Sequence, residues 1–128
     1  MKTRRQRASS GSPFEQTIGF CRALRVGDRV LVSGTAPVWP DGSVDPDPYV
    51  QAMRCFEIIA TALREAGATM EDVVRTRMFV TDATHGDAVG RAHHEVMSNT
   101  RPAATMVVVK ALLDERWKVE IEAEAVTS

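Results

Sequence analysis

The segment DVVRTRMFVTD, residues 72–82, decides how this chain is read. Val74, Thr76, Met78 and Val80 point one way, and Arg75, Arg77 and Phe79 point the other. A period of two over that length predicts a β-strand with one face in a core. The second face carries Phe79 beside two guanidinium groups, and with the valines of 105–109 it must be covered as well. On both sides of the strand the period changes to that of a helix.

Upstream, Asp47-Pro48 supplies an N-cap and a first-turn proline. Tyr49, Met53, Phe56, Ala60 and Leu63 follow at spacings of four and three, and Gly67 closes the segment, so a helix is predicted from 48 to about that glycine. Downstream, a second helix is predicted over 84–98, with Val89, Ala92, His93 and Val96 inward and Thr84 with Asp87 as a capping box. Residues 21–26 and 29–36 read as two strands joined by the turn Val26-Gly27-Asp28-Arg29, and WPDGSVDPDP (39–48) reads as loop. After the second helix come a strand at 105–109, a loop at 113–116 and a last strand at 117–126. The order β-β-α-β-α-β-β predicts an α+β domain, one sheet with both helices on one face. A chain of 128 residues is too short to cover the other face as well, so self-association is the expected solution.

Composition narrows the function classes. The chain is 44% hydrophobic and 26% charged, which suits one globular domain. Residues 1–13 (MKTRRQRASSGSP) are polar and basic and read as a flexible arm, leaving 14–128 as the domain. Beyond residue 7 acids outnumber bases, a sign that does not attract nucleic-acid phosphates over distance. No run is long and apolar enough for a membrane span, and the basic start leads into Ser and Gly rather than an apolar stretch, so a cytoplasmic location is expected. Cys21 and Cys55 match no zinc or redox spacing and read as reduced thiols.

Several groups are candidates for chemistry. His93-His94-Glu95 does not form a metal pair, because adjacent helical residues point about 100° apart. Ser33-Gly34 closes an apolar strand and can bring a hydroxyl and a bare backbone to a pocket. VEIEAEAV (119–126) sets Glu120, Glu122 and Glu124 on one strand face; the pattern alone reads as a solvated acidic face, but Glu120, deepest toward the strand start beside Trp117 and Lys118, could serve as a general base at a subunit seam. Arg75, Arg77 and Arg101 are candidate grips for an anionic substrate.

These segments together resemble the RidA/YjgF (Rid, reactive intermediate deaminase; L-PSP-like) family. Gly19-Phe20-Cys21-Arg22-Ala23 stands where the family has a Gly-Tyr-Ser-like opening, and Val32-Ser33-Gly34-Thr35 where it has its VSGQ strand end. Gln51 to Gly67 matches the helix carrying Q…L…L…AG, and 72–82 matches the DVV…VFVTD strand. VEIEAEAV is the family's closing strand almost unchanged. The resemblance implies a chorismate-mutase-like fold with a mixed sheet. It also implies a homotrimer whose sheets form a central barrel, with small-molecule pockets at the subunit seams. The implied activity is hydrolysis of reactive enamines and imines to a keto acid and ammonia, without a cofactor or a metal.

Carried over by position, the implied pocket holds Phe20, Ser33, Gly34, Met106 through its backbone carbonyl, and Glu120. The carbonyl and Glu120 would hold and activate the attacking water. The family's substrate-binding arginine follows Pro-Ala, but here Pro102-Ala103 leads to Ala104. Phe20 likewise lacks the usual aromatic hydroxyl. A charge-assisted hydrogen bond contributes about 1.5–3 kcal/mol, so its loss shifts the expected substrate away from ordinary imino acids. Either Arg77 or Arg101 replaces the charge, or the substrate carries no carboxylate. The alternative function is a trimeric small-molecule-binding or regulatory protein without catalysis.

Overall fold

The computed structural model describes residues 4–128. Six strands and two helices follow one another as β1 (Arg5–Ala8), β2 (Ala23–Val26), β3 (Arg29–Thr35), α1 (Pro48–Glu65), β4 (Val73–Val80), α2 (Gly86–Met97), β5 (Ala103–Val108) and β6 (Val119–Val126). They build one sheet in the order β1-β2-β3-β6-β4-β5. Only β4 and β5 run parallel, and every other neighbouring pair is antiparallel, so the sheet is mixed as expected. The connection α2 carries the chain from the end of β4 back to the start of β5, which a parallel pair requires.

β1 corrects the reading of residues 1–13 as a flexible arm. Residues 1–3 lie outside the described residues, but Arg5 to Ala8 pair in register with Val26 to Ala23. Arg5, Gln6 and Arg7 stay exposed while Ala8 is buried against the core, so backbone pairing rather than apolar alternation places this strand.

Both helices pack on one face of the sheet. α1 starts as its sequence dictates: Asp47 accepts a hydrogen bond from the Tyr49 amide at 2.8 Å and Pro48 opens the first turn. Its inward stripe is Ala52, Cys55, Phe56, Ile59, Ala62 and Leu63, rotated by about one residue from the predicted one, with Tyr49 and Met53 at the shoulder. α2 begins later than predicted, because Asp82 caps a short turn at Ala83–His85 first and the expected Thr84–Asp87 box does not form. The two helices meet where Phe56 and His93 stack edge to face, and His93 Nε2 hydrogen-bonds Thr76 Oγ1 on β4 at 2.8 Å.

Two irregularities flank the central strand β6. Between Val32 and Thr35, β3 spends one residue more than its partner, and β4 does the same between Val73 and Arg75. Each is a bulge, which shifts the alternation by one. Val73 therefore takes the buried place that the alternation assigned to Val74, which is exposed. On β3 the bulge buries both Val32 and Thr35 and turns Ser33-Gly34 out of the ladder.

Candidate functional site

β6 presents Val119, Ile121, Ala123 and Ala125 to the helices, nearly or wholly buried. Its alternate residues Glu120, Glu122 and Glu124 face the open side, in the row predicted from sequence, and are half-buried. Burial of the first comes from Gly34. A Cβ built on Gly34 would overlap the Glu120 carboxylate, so that carboxylate lies directly on the backbone of the β3 bulge and requires a glycine there.

The strand that carries Glu120 is anchored just before it. Gln51 of α1 is almost wholly buried and accepts from the Lys118 amide at 2.8 Å. Its amide nitrogen donates to the carbonyls of Asp45 and Arg116 at 2.7 and 2.9 Å. One side chain thus ties two loops to the entry of β6 and sets the position of Glu120 two residues on.

Ser33 and Phe20 join the same neighbourhood. The Ser33 hydroxyl donates to the Cys21 carbonyl at 2.7 Å, which pins the segment containing Phe20 beside the bulge. Between them lies a residue that the sequence reading passed over. Arg22 is only 8% exposed, donates from Nη2 to the Gly34 carbonyl at 2.5 Å, and has its guanidinium carbon 5.6 Å from the centre of the Phe20 ring. No sequence pattern singles it out, since it falls one residue before a strand as a lone cation.

The electrostatics follow from this packing. Burial raises the pKa of Glu120, Arg22 opposes the rise and Glu122 adds to it. Burial likewise weakens the hold of Arg22 on its proton, against the charges of Glu15 and Glu120. Cys55, wholly buried beneath with its thiol on the Thr35 carbonyl at 3.2 Å, is pushed up by burial and stays a neutral thiol. A carboxylate made more basic by burial, yet beside a cation, can take a proton from a bound water.

The remaining predicted residues lie elsewhere. Arg77 shares the open face with Glu120, one row over, but is engaged by Glu122 at 2.9 Å and Glu124 at 3.7 Å. Arg101 is exposed in the turn between α2 and β5, at a φ of 50°. Ala104 and Met106 lie on β5, paired with Thr76 and Met78 of β4. β5 is three strands from β3, and at about 4.8 Å per strand it stands roughly 14 Å from Gly34. One chain therefore gathers Phe20, Ser33, Gly34 and Glu120 and leaves Ala104 and Met106 on the far edge. Among the described residues no group of His, Cys, Asp or Glu has the arrangement of a metal site, and no helix is long and apolar enough to cross a membrane.

Comparison with known proteins agrees with this architecture. The family pattern for Endoribonuclease L-PSP matches residues 12–127. An uncharacterized protein of Streptomyces coelicolor is 41% identical over 121 residues, covering 94% of this chain and 90% of that one. The 2-iminobutanoate/2-iminopropanoate deaminase of Salmonella typhimurium is 32% identical over 111 residues, covering 84% and 86%. The crystal structure of a YjgF/YER057c/UK114 family member from Mycobacterium tuberculosis superposes with a TM-score of 0.90 at 40% identity, covering 97% of this chain and all of that one. With the bulged Ser33-Gly34, the Glu120 strand and both helices within the matched region, the chain belongs to the RidA/YjgF family.

Proposed function

We propose that the protein is a hydrolase of reactive enamines or imines, or of closely related small molecules. It would act as a homotrimer with pockets at the subunit seams. The observation that carries this reading is the Glu120 carboxylate: half-buried, seated on Gly34, raised in pKa by burial and turned to the open face of the sheet. Glu120 takes a proton from the attacking water, and the Met106 carbonyl of a neighbouring copy holds that water. The resulting carbinolamine collapses to a carbonyl compound and ammonia. Phe20, Ser33 and Gly34 form the wall on one side of the seam and Ala104 the other. No cofactor or metal enters this chemistry, and the protein works in the cytoplasm on a free metabolite.

Two features support self-association. Leu31, Val107 and Val108 are exposed large apolar residues on the strands, and of the residues expected to share a pocket, Gly34 and Glu120 stand on the central strands β3 and β6 while Ala104 and Met106 stand on the β5 edge. Apolar side chains on an uncovered sheet favour a protein partner over water. Small molecules are favoured over RNA by the acid excess beyond residue 7, even though the matching family pattern carries an endoribonuclease name.

The substrate differs from that of the Salmonella deaminase. Ala104 offers no charge to a carboxylate, Phe20 no hydroxyl, and Arg77 is already paired. An uncharged or less acidic imine fits this wall better. The same losses favour a second reading, a binding or regulatory protein that keeps the pocket without turnover.

The test is competition with semicarbazide for imines generated by amine and amino-acid oxidases. Faster release of carbonyl product and ammonia is expected for imines lacking a carboxylate. Glu120→Gln should lower that rate by about 10²–10⁴-fold while the assembly stays intact. No acceleration with any imine would leave the binding role.

A further inference from the structure

We propose that Arg22 is a positioning residue for Glu120: it supplies, from behind the β3 bulge, the buried positive charge that holds the carboxylate against Gly34 as an anion. The proposal deepens the reading of Glu120 as the base and rests on it for the use made of that anion.

The geometry isolates Arg22 among the cations near the site. Arg77 is spent on Glu122 and Glu124, and Arg101 is exposed in a turn. Arg22 is 8% exposed, and its Nη2 is fixed on the carbonyl of the glycine whose Cα supports Glu120. The Nε of Arg22 is buried without a hydrogen-bond partner among the described residues. Taking a guanidinium out of water costs free energy that one hydrogen bond to a carbonyl offsets only in part. Its return is electrostatic: in a dry setting a fixed guanidinium favours a nearby anion far more than it would in water.

The groups around Glu120 can be named from each side. Glu122 on its own strand disfavours its charge, but is itself held by Arg77 from β4. Cys55 from α1 is a neutral thiol. Phe79 is its cross-strand partner on β4 and carries no charge. Arg22 is the group among these that favours the ionised carboxylate. Glu15, buried and held by the Ser10 amide and hydroxyl, is a second acid whose charge acts on Arg22. Glu15 competes with Glu120 for the same charge.

The experiment is a carboxylate titration by carbon-detected NMR on the full chain labelled at glutamate, with Glu120 assigned by Glu120→Gln. Arg22→Gln should raise the Glu120 midpoint by about one pH unit, and Arg22→Lys should restore most of it. Glu15→Gln should move the midpoint the other way, and it decides the matter if Arg22→Gln does not fold. An unchanged midpoint in Arg22→Gln, or in Glu15→Gln when that variant decides, would overturn the proposal. Where turnover is measurable, the acid limb of the kcat/KM profile should move with the NMR midpoint. The titration needs no turnover, so an inactive wild-type protein would defeat the hydrolase reading and leave this proposal to be judged by the midpoints alone.

Discussion

The two faces of β6 differ sharply in how they are covered. On the helix side, Val119, Ile121, Ala123 and Ala125 are 3% exposed or less and belong to the core shared with α1. On the open side, Glu120, Glu122 and Glu124 are half-buried beside exposed Leu31 and Val107, with no second layer above them. The first face is finished by folding. The second carries the proposed chemistry, and on the proposed reading another copy of the chain covers it. Packing and the proposed chemistry lie on opposite sides of one strand, one residue out of phase with each other, as strict alternation allows.

That contrast can be broken from either side, and the helix face should give the largest effect. Ile121→Ala should cost about 2–5 kcal/mol in urea unfolding, because the side chain is wholly buried and leaves a cavity. Leu31→Ser on the open face should leave the fold in place by circular dichroism and instead make the assembly dissociate on dilution. If the two variants gave the same phenotype, the division between the faces would fail.

A smaller effect is expected from pH. Burial holds the His93 imidazole below its ordinary value, so the unfolded chain takes up this proton first. Stability from neutral His93 is therefore fully present above about pH 6.5 and declines as the pH falls through the window below it. The urea midpoint of the wild type should drop between pH 7 and pH 5 by more than that of His93→Gln. Equal drops would mean that His93 is not the group responsible.

The smallest effect belongs to the open-face ion pairs. Arg77 is 41% exposed and its two glutamates 33% and 30%, so Arg77→Ala should cost no more than about 1 kcal/mol in thermal unfolding. It should also leave imine hydrolysis unchanged, because that guanidinium is directed to its own chain's acids. A large loss of substrate affinity in Arg77→Ala would instead make it the replacement for the arginine missing at Ala104.

Much of the fold was legible because its signals are local. Asp47-Pro48 caps α1 by the chemistry those two residues always bring, and VEIEAEAV alternates without a break. The parts that were not legible depend on something other than the side-chain pattern. β1 is Arg-Gln-Arg-Ala, with no apolar alternation, and it exists because the edge of β2 offers unpaired backbone groups. The bulges displace Val74 and bury Thr35, which a strict period of two cannot express. Glu120, Ser33, Gly34 and Phe20 could be picked out from the resemblance, and they do stand together. Arg22 could not, because its importance lies in a single bond to a carbonyl twelve residues away.

The most direct test of the central claim is the mass of the native protein in solution, by sedimentation equilibrium at micromolar concentration. If the open face is closed by copies of the chain, the mass should be three times the 14.0 kDa of one chain. A stable, folded species of 14.0 kDa would contradict it, because the Glu120 face would then be bare and the seam pocket would not exist.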